Sequence, residues 1–267
     1  MNHLLRELAP ITDSGWRTID SEAKERLTPA LAARRLVDFA GPHGWGHSAS
    51  NLGRTTELAT APHEGVVAAQ RRVLPLAELR AGFTVSLNEL CDLDRGAPDV
   101  DLASLDDAAH RIAAAENAAV MHGWTGAAIR GVTDASPHES KALGNDVESY
   151  PRAIAGAVEL LLRTGIDGPY GLALGREQYR LVVETAEHGG SLLLDHLRKI
   201  LDGPIVWAPG LQGAVVLSQR GGDFLYDCGQ DLSIGYRRHD EDAVHLYIEE
   251  SFSFFVATPE AAVAFSA

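Results

Sequence analysis

The sequence predicts an α+β chain, and three observations carry that reading. The first is one long amphipathic helix over residues 101–124, DLASLDDAAHRIAAAENAAVMHGW. Leu102, Leu105, Ala109, Ile112, Ala113, Val120 and Trp124 recur there at helical spacing, while Asp106, Asp107, Arg111 and Glu116 fall largely on other faces. The second is the stretch at about 130–220, where helices alternate with short apolar strands. The third is a strand-rich close, DLSIGYRR and AVHLYIEESFSFFVAT, in which apolar and polar residues alternate around an HDED turn.

Taken in order, Thr12 or Asp13 can cap a first helix. Trp16, Ile19, Ala23 and Leu27 mark its apolar stripe, and Pro29 ends or kinks it. Arg34 to Phe39 reads as a short strand, and the Gly-rich GPHGWGHSASNLGR that follows reads as turn. Residues 51–76 show little periodicity; an extended arm or hairpin suits them better than a packed element. LRAGFTVSL alternates well enough for a strand, and NELCDLDRGAPDVD reads as an acidic turn. Glycine comes fifth counting from Asp92, so the calcium-loop pattern, which needs it sixth, fails. Asp101 or Ser104 can cap the long helix.

Beyond Trp124 a loop-rich transition leads to a helix near Pro151 to Thr164, with Ile154, Val158, Leu161 and Leu162 as its apolar face. GPYGLALG gives a short strand, Arg176 to Glu187 a helix, and Ser191 caps another through Leu201. PIVWAP and GAVVLSQ are further strands. At the C-terminal end Leu232, Ile234 and Tyr236 share one face, as do Leu246, Ile248, Phe252 and Phe254 of the partner strand.

Composition narrows the function. The chain has 267 residues, 45% of them hydrophobic, which is enough for a substantial core. Its formal net charge of -14 argues against a nucleic-acid binder, whose phosphate contacts need a basic surface. Cys91 and Cys228 make no disulfide framework, and a reduced, cytoplasmic setting is the expectation. No secretory h-region and no apolar run of membrane-spanning length is expected.

No catalytic motif emerges, and no enzyme is expected. There is no G-x-S-x-G elbow and no Walker A lysine. Gly165, Gly168, Gly171 and Gly175 lack dinucleotide-binding spacing and read as turns. His43 and His47 are four apart, but Gly44 and Gly46 between them disfavour a helical metal pair. His138-Glu139 opens like H-E-x-x-H, yet Ala142 stands where the second histidine belongs. Cys91 has no partner pattern for a nucleophile. No metal and no cofactor is expected. A chain with many strands, one odd arm and no site looks like something that assembles.

Three stretches resemble the encapsulin family, also called linocin-type proteins. They are the opening L-x-R-E-L-A-P-I-T with Trp16 and Ile19, the segment LPLAELR through FTVSLNEL to Asp94-Arg95-Gly96, and Arg220-Gly221-Gly222-Asp223-Phe224 followed by GQDLSIGY, HDEDAVHLYIEE and FSFF. Gly168-Pro169-Tyr170 falls at another matching place. The similarity covers essentially the whole chain.

The resemblance implies the tailed-phage major capsid protein fold, Hong Kong 97-type. It would place an N-terminal helix and the first part of a peripheral domain at 1–49, and an extension loop pairing with a neighbouring subunit at 50–76. The peripheral domain with its spine helix would cover 77–130, an axial domain 131–220, and strands returning to the peripheral domain 221–267. The turn of Glu187, His188, Gly189 and Gly190 would be a five-fold pore loop. The smallest icosahedral shell, T = 1, holds on the order of sixty copies.

By the same resemblance the function is containment. Cargo enzymes of the family, among them dye-decolourising peroxidases and ferritin-like iron oxidases, carry a C-terminal targeting peptide that docks inside the shell. The implied groove lies between the first helix and the C-terminal strands. Leu27, Leu31 and Val37 with Leu232, Ile234 and Leu246 would supply its apolar sockets, and Arg34 and Asp38 its polar register. Two departures stand out. Some relatives hold a flavin at a tryptophan where this chain has Asn88, which cannot stack, so no flavin is expected there. Pro29 can reshape the end of the first helix. The alternatives are a phage-type capsid that packages nucleic acid, and a bacteriocin or protease, as family members were once labelled.

Overall fold

The structure is a computed structural model that describes residues 2–143, 146–185 and 192–266. In chain order its helices are α1 (Asp13–Ala30), α2 (Leu87–Asp94), α3 (Ala103–His122), α4 (Val132–Ala135), α5 (Tyr150–Arg163), α6 (Arg176–Glu184) and α7 (Leu193–Leu201). The strands are β1 (Asp38–Ala40), β2 (Ala49–Glu57), β3 (Ala69–Pro75), β4 (Ala77–Ser86), β5 (Lys141–Ala142), β6 (Tyr170–Leu174), β7 (Ile205–Trp207), β8 (Ala214–Ser218), β9 (Phe224–Cys228), β10 (Ser233–His239), β11 (Ala243–Val256) and β12 (Ala262–Ser266).

Two sheets and a ribbon organise these strands. The first sheet runs β1-β9-β11-β10, with β4 also paired to β11; the second runs β5-β12-β8-β6-β7. β2 and β3 form a two-stranded ribbon of their own. Each sheet has its own apolar core. One gathers Ile19, Ala23 and Leu27 of α1, Phe83 and Val85 of β4, and Ile234, Leu246 and Ile248. The other gathers Ile154, Ala157 and Leu161 of α5 with Leu172, Leu174, Val216, Phe254 and Val263.

Two long elements join the cores. Helix α3 gives Leu105, Ala109, Ile112 and Ala113 to the first core, and Ala119, Val120 and Met121 to the second. Strand β11 gives Val244, Leu246 and Ile248 to one and Phe252, Phe254 and Val256 to the other. Its even-numbered residues lie on one face, so a single alternation serves both. The register pairs Ile234 with Ile248 and Tyr236 with Leu246.

Local chemistry sets the boundaries. Thr12 caps α1, its Oγ1 accepting from Gly15 N–H at 3.1 Å, and the helix ends one residue after Pro29. Asp101 Oδ1 accepts from Ala103 N–H at 3.0 Å at the start of α3, while Ser104 Oγ bonds Thr84 on β4 instead of capping. α3 stops at Gly123, whose φ is +90°.

Several elements differ from what the sequence predicts. The strand read over Arg34 to Phe39 begins only at Asp38, because Ala33–Arg35 makes a 3-10 turn. The acidic stretch after Ser86 is helix α2, since Ser86 Oγ accepts from Asn88 N–H at 3.1 Å and Leu90 turns into the core. Gly171 is not in a turn but inside β6, where a Cβ would come within 2.5 Å of Leu36 Cδ2. Strands β9 and β12 were not legible as strands. Trp124, read as the end of the helical stripe, lies beyond α3 and is exposed. Glu116 is not on an outward face; it is wholly buried.

Candidate peptide groove between the first helix and the outer strand

An apolar groove in the first sheet's half of the molecule lies between α1 and β10. It encloses about 400 Å³ and is lined by Ala23, Leu27 and Leu31 on one side and Leu232, Ile234 and Ile248 on the other. Both walls follow from periodicity. Asp20, Lys24, Leu27 and Leu31 lie three or four residues apart, hence on one strip of α1. Leu232 and Ile234 lie two apart, hence on one face of β10. The N-terminal segment closes one end: Tyr236 N–H donates to Leu4 O at 2.8 Å, and Leu4 lines the groove. Arg6 donates to Asp20 at 2.7 Å and lays its guanidinium 3.9 Å from the centre of the Trp16 ring.

Arg34 forms the floor at the other end. Its Nε donates to Glu116 Oε2 at 2.7 Å, Nη2 to Glu250 Oε2 at 2.6 Å, and Nη1 to Asp231 Oδ1 at 2.6 Å. Tyr226 Oη donates to Glu116 Oε2 at 3.0 Å. The two glutamates are fully buried, whereas Asp231 is at the rim. Burial, then the neighbouring Glu116, holds the Glu250 carboxyl well above the usual carboxylate range. Burial likewise holds the Tyr226 phenol well above its ordinary value. Arg34 thus anchors the groove to the helix and sheet beneath it and shows one edge to the opening.

The structure brings together five of the eight residues expected in the groove: Leu27, Leu31, Arg34, Leu232 and Ile234. The other three do not line it. Val37 packs partly buried against the second core. Asp38 sits on β1, its Oδ2 accepting from Gly222 N–H at 2.7 Å. Leu246 is in the sheet interior between Tyr236 and Phe83. Leu4, Arg6, Asp20, Lys24, Thr28, Ser233 and Ile248 also line the groove, beyond the residues the resemblance implies. The helical spacing of Asp20, Lys24 and Thr28 with Leu27 and Leu31 could have identified part of this set.

Elsewhere, the expected pore-loop residues Glu187, His188, Gly189 and Gly190 lie outside the described residues. Asn88 is exposed on α2. Cys91 is exposed and unpaired. Cys228 is buried, and that burial pushes its thiol up to about 12, so it stays protonated and inert. Among the described residues no helix is long and apolar enough to cross a membrane.

The family model described as "Encapsulating protein for peroxidase", the Linocin_M18 family, matches residues 1–253. A type 1 encapsulin shell protein of Rhodospirillum rubrum is 46% identical, over 98% of this chain and 96% of its own. One of Mycobacterium tuberculosis is 40% identical over the full length of both. Among solved structures, a virus-like particle from Pyrococcus furiosus superposes with a TM-score of 0.65 at 16% identity, covering 93% of this chain and 98% of that one. A chain of Mycobacterium phage Ogopogo gives 0.55 at 14%, covering 88% and 91%, and one of the capsid of Myoviridae phage XM1 gives 0.51 at 10%, covering 88% and 90%. At such identities these likenesses speak for the fold, which is that of the tailed-phage capsid proteins. With two sheets joined by one spine helix and relatives this similar from end to end, the chain belongs to the family of type 1 encapsulin shell proteins.

Proposed function

We propose that this chain is the structural subunit of a closed protein compartment and that the α1–β10 groove receives a short C-terminal peptide of a cargo enzyme. The observation that carries the reading is the groove itself: apolar walls of Leu27, Leu31, Leu232 and Ile234, with charged groups Arg6, Lys24, Arg34 and Asp231 around them. A few apolar anchors give modest affinity at one site, and many copies of the site give avidity toward an oligomeric cargo. The cargo is a dye-decolourising peroxidase or a ferritin-like iron oxidase, and the family description, which names a peroxidase, supports the first.

Assembly has its own support. Ribbon β2–β3 carries exposed Val66, Val67 and Val73 and, among the described residues, pairs with no other strand. An isolated two-stranded hairpin is marginal in water, so a neighbouring copy is its natural partner. In this reading 50–76 is the arm between subunits, 1–49, 77–130 and 221–267 make the peripheral domain, and 131–220 the axial domain with its pore loop at 187–190. The shell is a T = 1 particle of about sixty copies in the cytoplasm. The net charge of -14 weighs against packaged nucleic acid, and no arrangement of side chains described above makes a nucleophile with its base.

The test is co-expression with a dye-decolourising peroxidase that carries its C-terminal peptide. Closed particles that co-purify with peroxidase are expected from the wild type. L31E/L232E should give particles of the same size, empty of peroxidase. Equal loading of both would remove the groove from the reading, and a monomeric wild type would remove the shell.

A further inference from the structure

The neck of the β2–β3 ribbon gathers three groups that have no part in the groove. His43 and His47 lie on the loop between β1 and β2, and Asp227 lies on β9. His43 Nε2 is 3.0 Å from Asp227 Oδ1, and His47 Nε2 is 3.0 Å from Asp227 Oδ2. One ligand-type atom from each lies within 4.8 Å of the other two. The imidazole rings are 4.7 Å apart between centroids. Ser50 Oγ donates to the same carboxylate. The loop is held to the sheet by its backbone: His43 N–H donates to Cys228 O at 2.9 Å, and Gly44 N–H to Gly229 O at 2.8 Å.

We infer that His43, His47 and Asp227 bind a divalent transition-metal ion, with zinc the best match. Two imidazole nitrogens and one carboxylate oxygen on one side of a site are the donor set of zinc and its first-row neighbours, whereas magnesium and calcium require oxygen cages. A tetrahedral zinc with bonds of about 2.0–2.1 Å sets its ligand atoms about 3.3 Å apart. Each imidazole nitrogen is already near that distance from one oxygen of Asp227, His43 from Oδ1 and His47 from Oδ2, so the carboxylate turns one oxygen toward both nitrogens as the imidazoles close. Ser50 or water supplies the fourth ligand. His43 is 45% exposed, which leaves an entry path. The sequence argues against a metal because Gly44 and Gly46 forbid a helical pair. In the fold Gly44, at φ +93°, turns the loop so that both rings meet a carboxylate from a distant strand. Such an ion would tie the root of the ribbon to β9 and fix the direction in which the arm leaves the body.

Untagged, full-length protein in its assembled state is stripped with chelator, dialysed against zinc, and its metal content measured by plasma mass spectrometry. One zinc per subunit is expected for the wild type and for H63A, whose histidine lies on the ribbon away from the cluster. Binding should weaken about tenfold or more in H43A, H47A and D227N. Cobalt loaded in place of zinc should show the intense visible bands of a tetrahedral nitrogen–oxygen site, lost in H43A/H47A. Cobalt spectra of the wild type decide the matter even if a variant fails to assemble. Zinc uptake equal in wild type and H43A/H47A, a metal-free wild type, or cobalt with only the faint bands of the aqueous ion would overturn the assignment and leave a hydrogen-bonded His–Asp–His cluster.

Discussion

Replacing Arg34 by methionine removes one cation from between three carboxyl groups while keeping most of the side chain's volume. The guanidinium lies 2.6–2.7 Å from Glu116, Glu250 and Asp231, and the first two are fully buried. Asp231 is 45% exposed and regains water, so its share of the loss is small. Burial holds the Glu250 carboxyl well above the usual carboxylate range, which favours its neutral form, so its share is the smaller one, chiefly a lost hydrogen bond. The main cost is the Glu116 carboxylate, left buried beside Tyr226 without its cation. Breaking a buried pair from one side costs about 3–5 kcal/mol, and that is the expected loss for R34M at pH 7.5. The loss should shrink with acid. Burial raises the folded pKa of Glu250 and Arg34 counters part of that rise, so without Arg34 the carboxyl destabilises more as pH climbs from its unfolded value, about 4.3, through its folded one, and lowering the pH through that window restores stability. E116Q should recover most of the loss in the R34M background, whereas E250Q alone should cost about 1 kcal/mol or less. Guanidinium unfolding followed by tryptophan fluorescence at pH 7.5 and 5.5, at one fixed subunit concentration, reads all four proteins. R34M within about 1 kcal/mol of wild type at both pH values, or E116Q adding to the loss, would refute the reasoning.

Two further expectations follow from Asn117, buried on α3, and His122, half-buried at its end. Asn117 is fully buried; its Oδ1 accepts from Ala33 N–H at 2.9 Å, and its Nδ2 donates to Ala30 O at 2.8 Å and Pro209 O at 3.0 Å. N117A leaves Ala33 N–H and Pro209 O without their partner, while Ala30 O keeps Ala32 N–H, and should cost about 3 kcal/mol, against a much smaller loss for an exposed control such as E25A, in the same denaturant assay. His122 accepts from Gln212 N–H at 3.1 Å and lies 3.1 Å from Thr133 Oγ1, and burial lowers its pKa. The folded state therefore resists taking a proton there, and stability falls as pH drops through the unfolded value of about 6.5. H122Q should flatten that part of the pH profile in thermal melts between pH 7.5 and 5.5, and an unchanged slope would rule the contribution out.

How much of this was legible depends on range. Helix α1 and helix α3 could be read because their stripes are local, and the pairing of β10 with β11 because both strands alternate across one short turn. The groove's walls were legible for the same reason. Its floor was not. Glu116 looks like a solvent-facing residue on a helix until Arg34 arrives from 82 residues away and Glu250 from the far end of the chain. Val37, Asp38 and Leu246 fit the expected chemistry but face elsewhere, since the 3-10 turn at Ala33–Arg35 and the strand register decide where they point.

The sequence by itself determined the class of the fold, the arm that lacks a partner and the absence of a recognisable catalytic motif, because spacing, composition and motif are properties of neighbours along the chain. The meeting of two glycine-separated histidines with Asp227, and of one arginine with two buried glutamates, was decided only by tertiary structure. In each case a β-strand carries a carboxylate to a residue some 180 or more positions away, and no local pattern records which strand will pair beside which.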